Sequence, residues 1–446
     1  MFQHPSMRHA PLQRPCLFVF AVLLTVSTQA ANLPTDPLAH EHPFDAAAIG
    51  AGTPLSIGDA STLALTDQPL LSGREASIAA DEELAVSAAQ LPDPKLIAGI
   101  KDLPVDTRES FSVRDDNFTM FSVGLSQDFP RADKRRLKGE RKRLEAAVGR
   151  LGLEDNRREI GRDAALAWLD VFEAEHALRL THALAEESAL QLQSLESDYR
   201  SGRASQADWL AARVEAGLVN DKEQDWVHHV ERLRAALSRW IGDAARRPLA
   251  GDLDAIPAPV EFPLLTAAVD RHPMVAGLEK QVDVSEADVK LARQAYKSDF
   301  SIEGYFGYRA AYSDFAGIQV SMDLPLFTGN RQDRDLSAAL KQSDAARDRK
   351  ADAQRELHAQ ATEDYIDWHH GRERTTTFDS DIIPDAGRRI AAAQSAYAAG
   401  RGSFDAVLLA RRSLLDTQLQ GLALAVETAR AQVRLQYFTA TFGAAR

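Results

Sequence analysis

The chain has 446 residues, a formal net charge of −13, 26% charged residues and 45% hydrophobic residues. The acidic balance excludes a nucleic-acid-binding surface, because phosphates demand lysine and arginine. The charged fraction is too high for a bundle of membrane-crossing helices and fits a folded, water-contacting protein.

Residues 1–30 read as a secretory signal: Arg8 and Arg14 precede the apolar run Leu17–Val26, and Thr28-Gln29-Ala30 offers a small-residue cleavage site. The run is about ten residues, half of the roughly 20 that a spanning helix needs, so removal is expected rather than anchoring. Cys16, the single cysteine, precedes the run, so the mature chain has neither a disulfide nor a thiolate metal site and suits an oxidising periplasm. Residues 31–54, rich in Ala, Pro and His, lack periodicity and read as a poorly ordered extension.

A first unit spans 55–240. A helical pattern from Leu55 to about Gln90 stops at Leu91-Pro-Asp-Pro94, where proline lacks an amide hydrogen and restricts its predecessor. The period then falls to two: Leu96, Ala98 and Ile100 alternate with Ile97, Gly99 and Lys101, and Phe121, Val123 and Leu125 with Ser122, Gly124 and Ser126. Alternation of this kind gives a hairpin at about 95–129, each strand with one apolar and one polar face. Arg131 to Ser201 contains no proline and is rich in good helix formers, with Leu137, Leu144 and Leu151 seven apart. One helix of about 70 residues would be roughly 105 Å long, far beyond the usual 10–14 residues, and implies coiled coil. Gly202 breaks it, and a shorter helix returns over Ser205–Trp240.

Residues 241–262 form a linker, and the same order of parts then recurs over 263–446. The second hairpin, at about 299–325, sets Phe300, Ile302, Phe306 and Tyr308 against Ser301, Glu303 and Tyr305, and Ile318 and Val320 against Gln319 and Ser321. From Phe327 to Ala399 only Pro384 interrupts; Gly400 and a return helix over Ser403–Phe442 follow. Three landmarks establish the duplication. Asp67-Gln-Pro returns as Arg271-His-Pro after 204 residues, Ser126-Gln-Asp-Phe-Pro130 as Ser321-Met-Asp-Leu-Pro325 after 195, and Tyr199-Arg-Ser-Gly-Arg-Ala-Ser205 as Tyr397-Ala-Ala-Gly-Arg-Gly-Ser403 after 198. The interval from the helix proline to the strand-end proline is 61 residues in the first unit and 52 in the second, which leaves a longer polar loop at Leu103–Asn117.

Strands of about ten residues suit a tilted transmembrane strand, although a water-soluble hairpin with one buried face fits the alternation equally. Four strands cannot close a barrel, and open edges are not tolerated in lipid. A membrane reading therefore requires oligomerisation, and three copies would supply about twelve strands.

Four passages carry a specific resemblance: Asp67-Gln-Pro with Gln90-Leu-Pro-Asp-Pro94, Gly124-Leu-Ser with Lys134-Arg-Arg136, Val320-Ser-Met-Asp-Leu-Pro-Leu-Phe-Thr-Gly-Asn-Arg331, and the doubled Tyr-x-x-Gly-x-x-Ser turn. In this order, over residues 55–442, the chain resembles the TolC-like outer-membrane efflux family, and most nearly its heavy-metal branch. The resemblance implies a mainly α fold with transmembrane β: long coiled-coil helices forming a periplasmic helical barrel, and four strands per chain entering a shared trimeric barrel of about twelve strands. It implies a homotrimer embedded in outer-membrane lipid, joined through a periplasmic adaptor to an inner-membrane pump of the RND type, with divalent metal cations as cargo. Protein secretion and multidrug efflux are the alternatives, and a periplasmic coiled-coil scaffold without a pore is the distant one.

By position, the resemblance puts Tyr199, Gly202, Ser205, Tyr397, Gly400 and Ser403 at the periplasmic tip that meets the adaptor, and Asp208 and Asp405 at the pore constriction. The aspartates also suit the N-termini of the return helices, so capping alone accounts for them equally. Relatives with a second acidic ring place an aspartate where this chain has Leu409. Phe121, Val123, Leu125, Phe300, Ile302, Phe306, Ile318 and Val320 are the residues expected to face lipid. Eight cations between Arg131 and Arg143 read as a solvated helix face or as a contact for lipid headgroups. His228-His229 and His369-His370 are adjacent pairs on helices, about 100° apart, and make no i, i+4 metal grip, so no metal site is expected. No nucleophile elbow, phosphate loop or paired-carboxylate motif is present, so neither catalysis nor a cofactor is expected.

Overall fold

The structure, a computed structural model, describes residues 52–439 except Thr107, Glu109 and 251–252. The signal expected at 1–30 and the extension expected at 31–54 lie outside the described residues, save for the last three positions. There Thr53 and Pro54 are held: Arg247 donates to the Thr53 carbonyl at 2.7 Å and to the Pro54 carbonyl at 3.4 Å.

Helix α1 (Ile57–Leu63) opens with a capping box between Ser56 and Asp59. The helix expected to run unbroken to Gln90 is instead interrupted after α1. Asp67 turns into the left-handed region at φ 51°, and Pro69 restarts the chain as the first residue of α2 (Pro69–Ala88). Strands β1 (Lys95–Lys101) and β2 (Met120–Phe129) follow, then α3 (Ala132–Arg200) and α4 (Gln206–Ile241). At 69 residues α3 alone is about 104 Å long. The second half repeats the order with α5 (Phe262–Asp270), α6 (Pro273–Gln294), β3 (Phe300–Tyr308), β4 (Phe315–Met322), α7 (Gln332–Thr377), α8 (Ile383–Ala398) and α9 (Phe404–Thr439). The second rod is not one helix, because a π turn at Phe378–Ile382 separates α7 from α8. Pro384 is the cause: it offers no N–H, and its ring excludes the carbonyl one turn back, so the ladder widens there.

Side-chain pairs show how the helices lie. α2 runs beside the first part of α3 through Arg157–Glu75 (3.0 Å) and Lys142–Asp81 (3.2 Å). α6 is wedged between α3 and α7, with Arg141–Asp288 at 2.5 Å on one side and Arg347–Glu286 at 2.7 Å on the other. α4 returns along the second part of α3, and α9 lies between α3 and α7 through Arg430–Asp170 (2.7 Å) and Arg434–Asp364 (2.5 Å). Gly139 allows α2 to approach closely, since a Cβ there would sit 2.9 Å from the Ala85 carbonyl oxygen.

The linker is tied into the core. Leu55 pairs in parallel with Leu249, its N–H donating to Pro248 at 2.8 Å and its carbonyl accepting from Ala250 at 2.9 Å. The same carbonyl accepts from the indole of Trp168, which is fully buried and stacked on Phe172 at 5.3 Å. A second core gathers Leu265, Val275, Trp368, Leu435 and Phe438.

Half of the basic run at the start of α3 is tied to other parts of the chain, while Arg131, Arg136, Lys138 and Arg143 are exposed. Lys134 pairs with Asp299 (2.5 Å), Arg135 donates to the Ala89 carbonyl (3.2 Å), Arg136 pairs with Glu140 (3.0 Å), and Arg141 and Lys142 bind α6 and α2 as above. The run holds the neighbouring acidic elements to the rod.

Candidate functional site

The four strands form one antiparallel sheet in the order β1-β2-β3-β4, so the hairpins of the two halves join through β2 and β3. Directly opposed residues share a face. Phe121, Val123 and Leu125 oppose Tyr308, Phe306 and Gly304; Ile302 opposes Val320, Gly304 opposes Ile318, and Phe300 opposes Met322. Leu96, Ala98 and Ile100 of β1 join the same face opposite Leu125, Val123 and Phe121. All eight residues expected to face lipid therefore lie on one continuous apolar surface. It is exposed, from 37% at Ile302 to 82% at Ile318. The opposite face carries Lys101, Ser122, Ser126, Glu303, Tyr305, Gln319 and Ser321, with the Lys101 ammonium 3.9 Å above the Tyr305 ring and 3.7 Å from Glu303. A sheet that is greasy on its exposed side and polar on the other is inverted relative to a soluble hairpin and fits a barrel wall. Its edges, β1 and β4, have no further strand among the described residues. No helix among them is long and apolar enough to cross a membrane.

Far along the rods, the two turns adopt the same geometry. Gly202 and Gly400 sit at φ 75° and 68°, a left-handed conformation that costs glycine little and ends a helix. Ser205 caps α4, its hydroxyl accepting from the Asp208 N–H at 3.0 Å and donating to the Asp208 carboxylate at 2.8 Å. Ser403 accepts from the Ala406 N–H at 3.3 Å. Tyr199 stacks on Trp209 at 5.7 Å, and Tyr397 packs on Phe404 at 5.5 Å. These residues are brought together, because Phe404 is buried in a cluster with Leu195 of α3 and Ala212 of α4, against which Trp209 and Tyr397 also pack. The aspartates differ in kind. Asp208 is engaged in its own cap, whereas Asp405 is exposed on the first turn of α9.

Behind the tips lies a layer that sequence reasoning missed. Arg412 holds the buried Glu215 in a forked pair, Nε to Oε1 at 2.8 Å and Nε to Oε2 at 2.6 Å. Its neighbour Arg411, itself buried, donates to Gln191 and pairs with Glu187 at 2.8 Å. Two successive arginines of α9 thus clamp α4 and α3, and removing Arg412 would leave the buried Glu215 carboxylate without its partner. The only sequence signal was an Arg-Arg pair on an otherwise apolar stretch of helix.

This fold, with an exposed apolar sheet at one end of paired long helices and a glycine-turned tip at the other, has the architecture expected of an outer-membrane efflux channel subunit. Residues 264–441 match the family model described as outer membrane efflux protein. The chain is similar to the cobalt-zinc-cadmium resistance protein CzcC of Cupriavidus metallidurans, at 23% identity over 388 residues, covering 85% of this chain and 89% of that one. Among solved structures it resembles a membrane protein from Pseudomonas aeruginosa (TM-score 0.75, 15% identity, 86% and 92% of the two chains). It also resembles CusC, solved in a study of transmembrane channel formation (TM-score 0.73, 14% identity, 86% and 91%).

Proposed function

We propose that three copies of this chain assemble into a passive conduit from the periplasm across the outer membrane, and that it exports divalent metal cations. The exposed apolar sheet face with two open edges carries this reading. Such edges are tolerated in lipid only when paired, and neighbouring copies of the same hairpins supply the partners. The halves 55–240 and 263–446 each contribute one hairpin and one helical rod, joined through 241–262. Phe121, Val123, Leu125, Phe300, Ile302, Phe306, Ile318 and Val320 then meet lipid. The similarity to a cobalt-zinc-cadmium resistance protein supports metals as cargo.

At the other end, Tyr199, Gly202, Ser205, Tyr397, Gly400 and Ser403 form the surface offered to a periplasmic adaptor, which links the channel to an inner-membrane pump of the RND type. Asp405, and less directly Asp208, supplies carboxylates around the closed pore, where a ring of negative charge selects cations. The test of cargo is deletion of the gene, followed by growth on divalent metals, dyes and antibiotics. Hypersensitivity confined to cobalt, zinc or cadmium is the expected result. Sensitivity confined to organic toxins, or to none of these agents, would contradict metal export.

A further inference from the structure

In the last turns of α7, just ahead of the π turn, three exposed side chains converge: His369, His370 and Glu373. The adjacent histidines diverge by about 100° and alone cannot grip one ion. Glu373 lies one turn further on and, viewed down the axis, between them, so its carboxylate reaches both rings. Oε1 is 3.7 Å from His369 Nδ1, and Oε2 is 3.5 Å from His370 Nδ1. One donor atom from each residue lies within 4.8 Å of the other two. Ligands at about 2.0–2.1 Å from a tetrahedral ion stand roughly 3.4 Å apart, so small rotamer adjustments complete the set. The Arg372 guanidinium of the same turn is directed elsewhere, over the Trp368 ring at 5.2 Å. Trp368 is buried and fixes the turn against the core, so the triad stands on a firm backbone.

We propose that His369, His370 and Glu373 bind one divalent transition-metal ion, with water filling the remaining positions. Two imidazoles and a carboxylate suit zinc, cobalt, nickel or copper and disfavour magnesium and calcium, which require oxygen donors. The site stands whether or not such ions are the cargo. A bound ion staples residue 369 to residue 373 and stiffens the helix where it enters the π turn.

The test uses the full chain purified in detergent without a polyhistidine tag, titrated with Co²⁺ by visible absorption and then displaced with Zn²⁺. One ion per chain is expected. His369→Ala and Glu373→Ala should each weaken binding at least about tenfold, or by about 1.4 kcal/mol, while a His228→Ala/His229→Ala control binds as the unaltered chain does. All three ligands are exposed, so circular dichroism should be unchanged in the variants. No saturable binding by the unaltered chain, or undiminished binding by Glu373→Ala, would overturn the proposal.

Discussion

His272 shows how one side chain joins a local cap to the core. Its Nδ1 accepts from the Met274 N–H at 3.4 Å, capping α6, and its Nε2 faces the Tyr437 carbonyl at 3.3 Å. An amide N–H only donates and a carbonyl only accepts, so the ring must be neutral with its proton on Nε2. Burial, helped by the nearby Arg158, lowers its pKa to about 4. The sign follows. An unfolded histidine takes up its proton near pH 6.5, so stability is complete above that value and is lost as pH falls towards 4, by up to about 3 kcal/mol. Asp155, 3.8 Å from Nδ1, is itself raised by burial and gives the charged ring little help. Thermal melts of the unaltered chain should therefore drop more between pH 7 and 5 than those of His272→Gln, whose amide can serve both partners without titrating. Parallel curves would contradict this account.

The tip aspartates separate by the same kind of argument. Replacing Asp208 removes the carboxylate that accepts from the Ser205 cap hydroxyl together with its charge, so its loss confounds the cap with selectivity. Asp405→Ala is the cleaner probe: in a planar bilayer it should raise leak conductance and weaken block by divalent cations. Unchanged block would remove Asp405 from the constriction.

At the scale of elements, strand faces and turns were legible in the sequence because each reports a local rule. Phe121 to Leu125 and Phe300 to Tyr308 alternate because one side meets apolar surroundings and the other water, and Gly202 and Gly400 announce a backbone that few other residues accept. The partners of the basic run were not legible. Arg141 meets Asp288, 147 positions away, and Lys142 meets Asp81, 61 positions back, so charge that looks surplus in sequence is neutralised only by packing. The break between α1 and α2 hid for a related reason, since Asp67 turns at φ 51° without a glycine to mark it. The π turn was half visible: Pro384 marked a fault in the rod, but a proline alone does not say whether a helix kinks, stops or widens. The grouping of His369 and His370 with Glu373 was not legible either, because adjacent histidines diverge by about 100° and only a residue one turn further on lies between them.

For the molecule as a whole, the central claim is that a single chain is an incomplete object. Its sheet presents apolar side chains outward along every strand, and its outer strands β1 and β4 end the sheet without partners among the described residues. Three chains joined edge to edge answer both facts at once, placing the apolar face in lipid and the Lys101, Glu303 and Gln319 face towards water. The most direct measurement is electrophoresis of the chain extracted from outer membranes, compared before and after heating in SDS. The account predicts a compact species of three chains in the unheated sample that converts to single chains on boiling. A single chain of unchanged mobility in both samples, or a chain recovered only from the soluble periplasmic fraction, would contradict it.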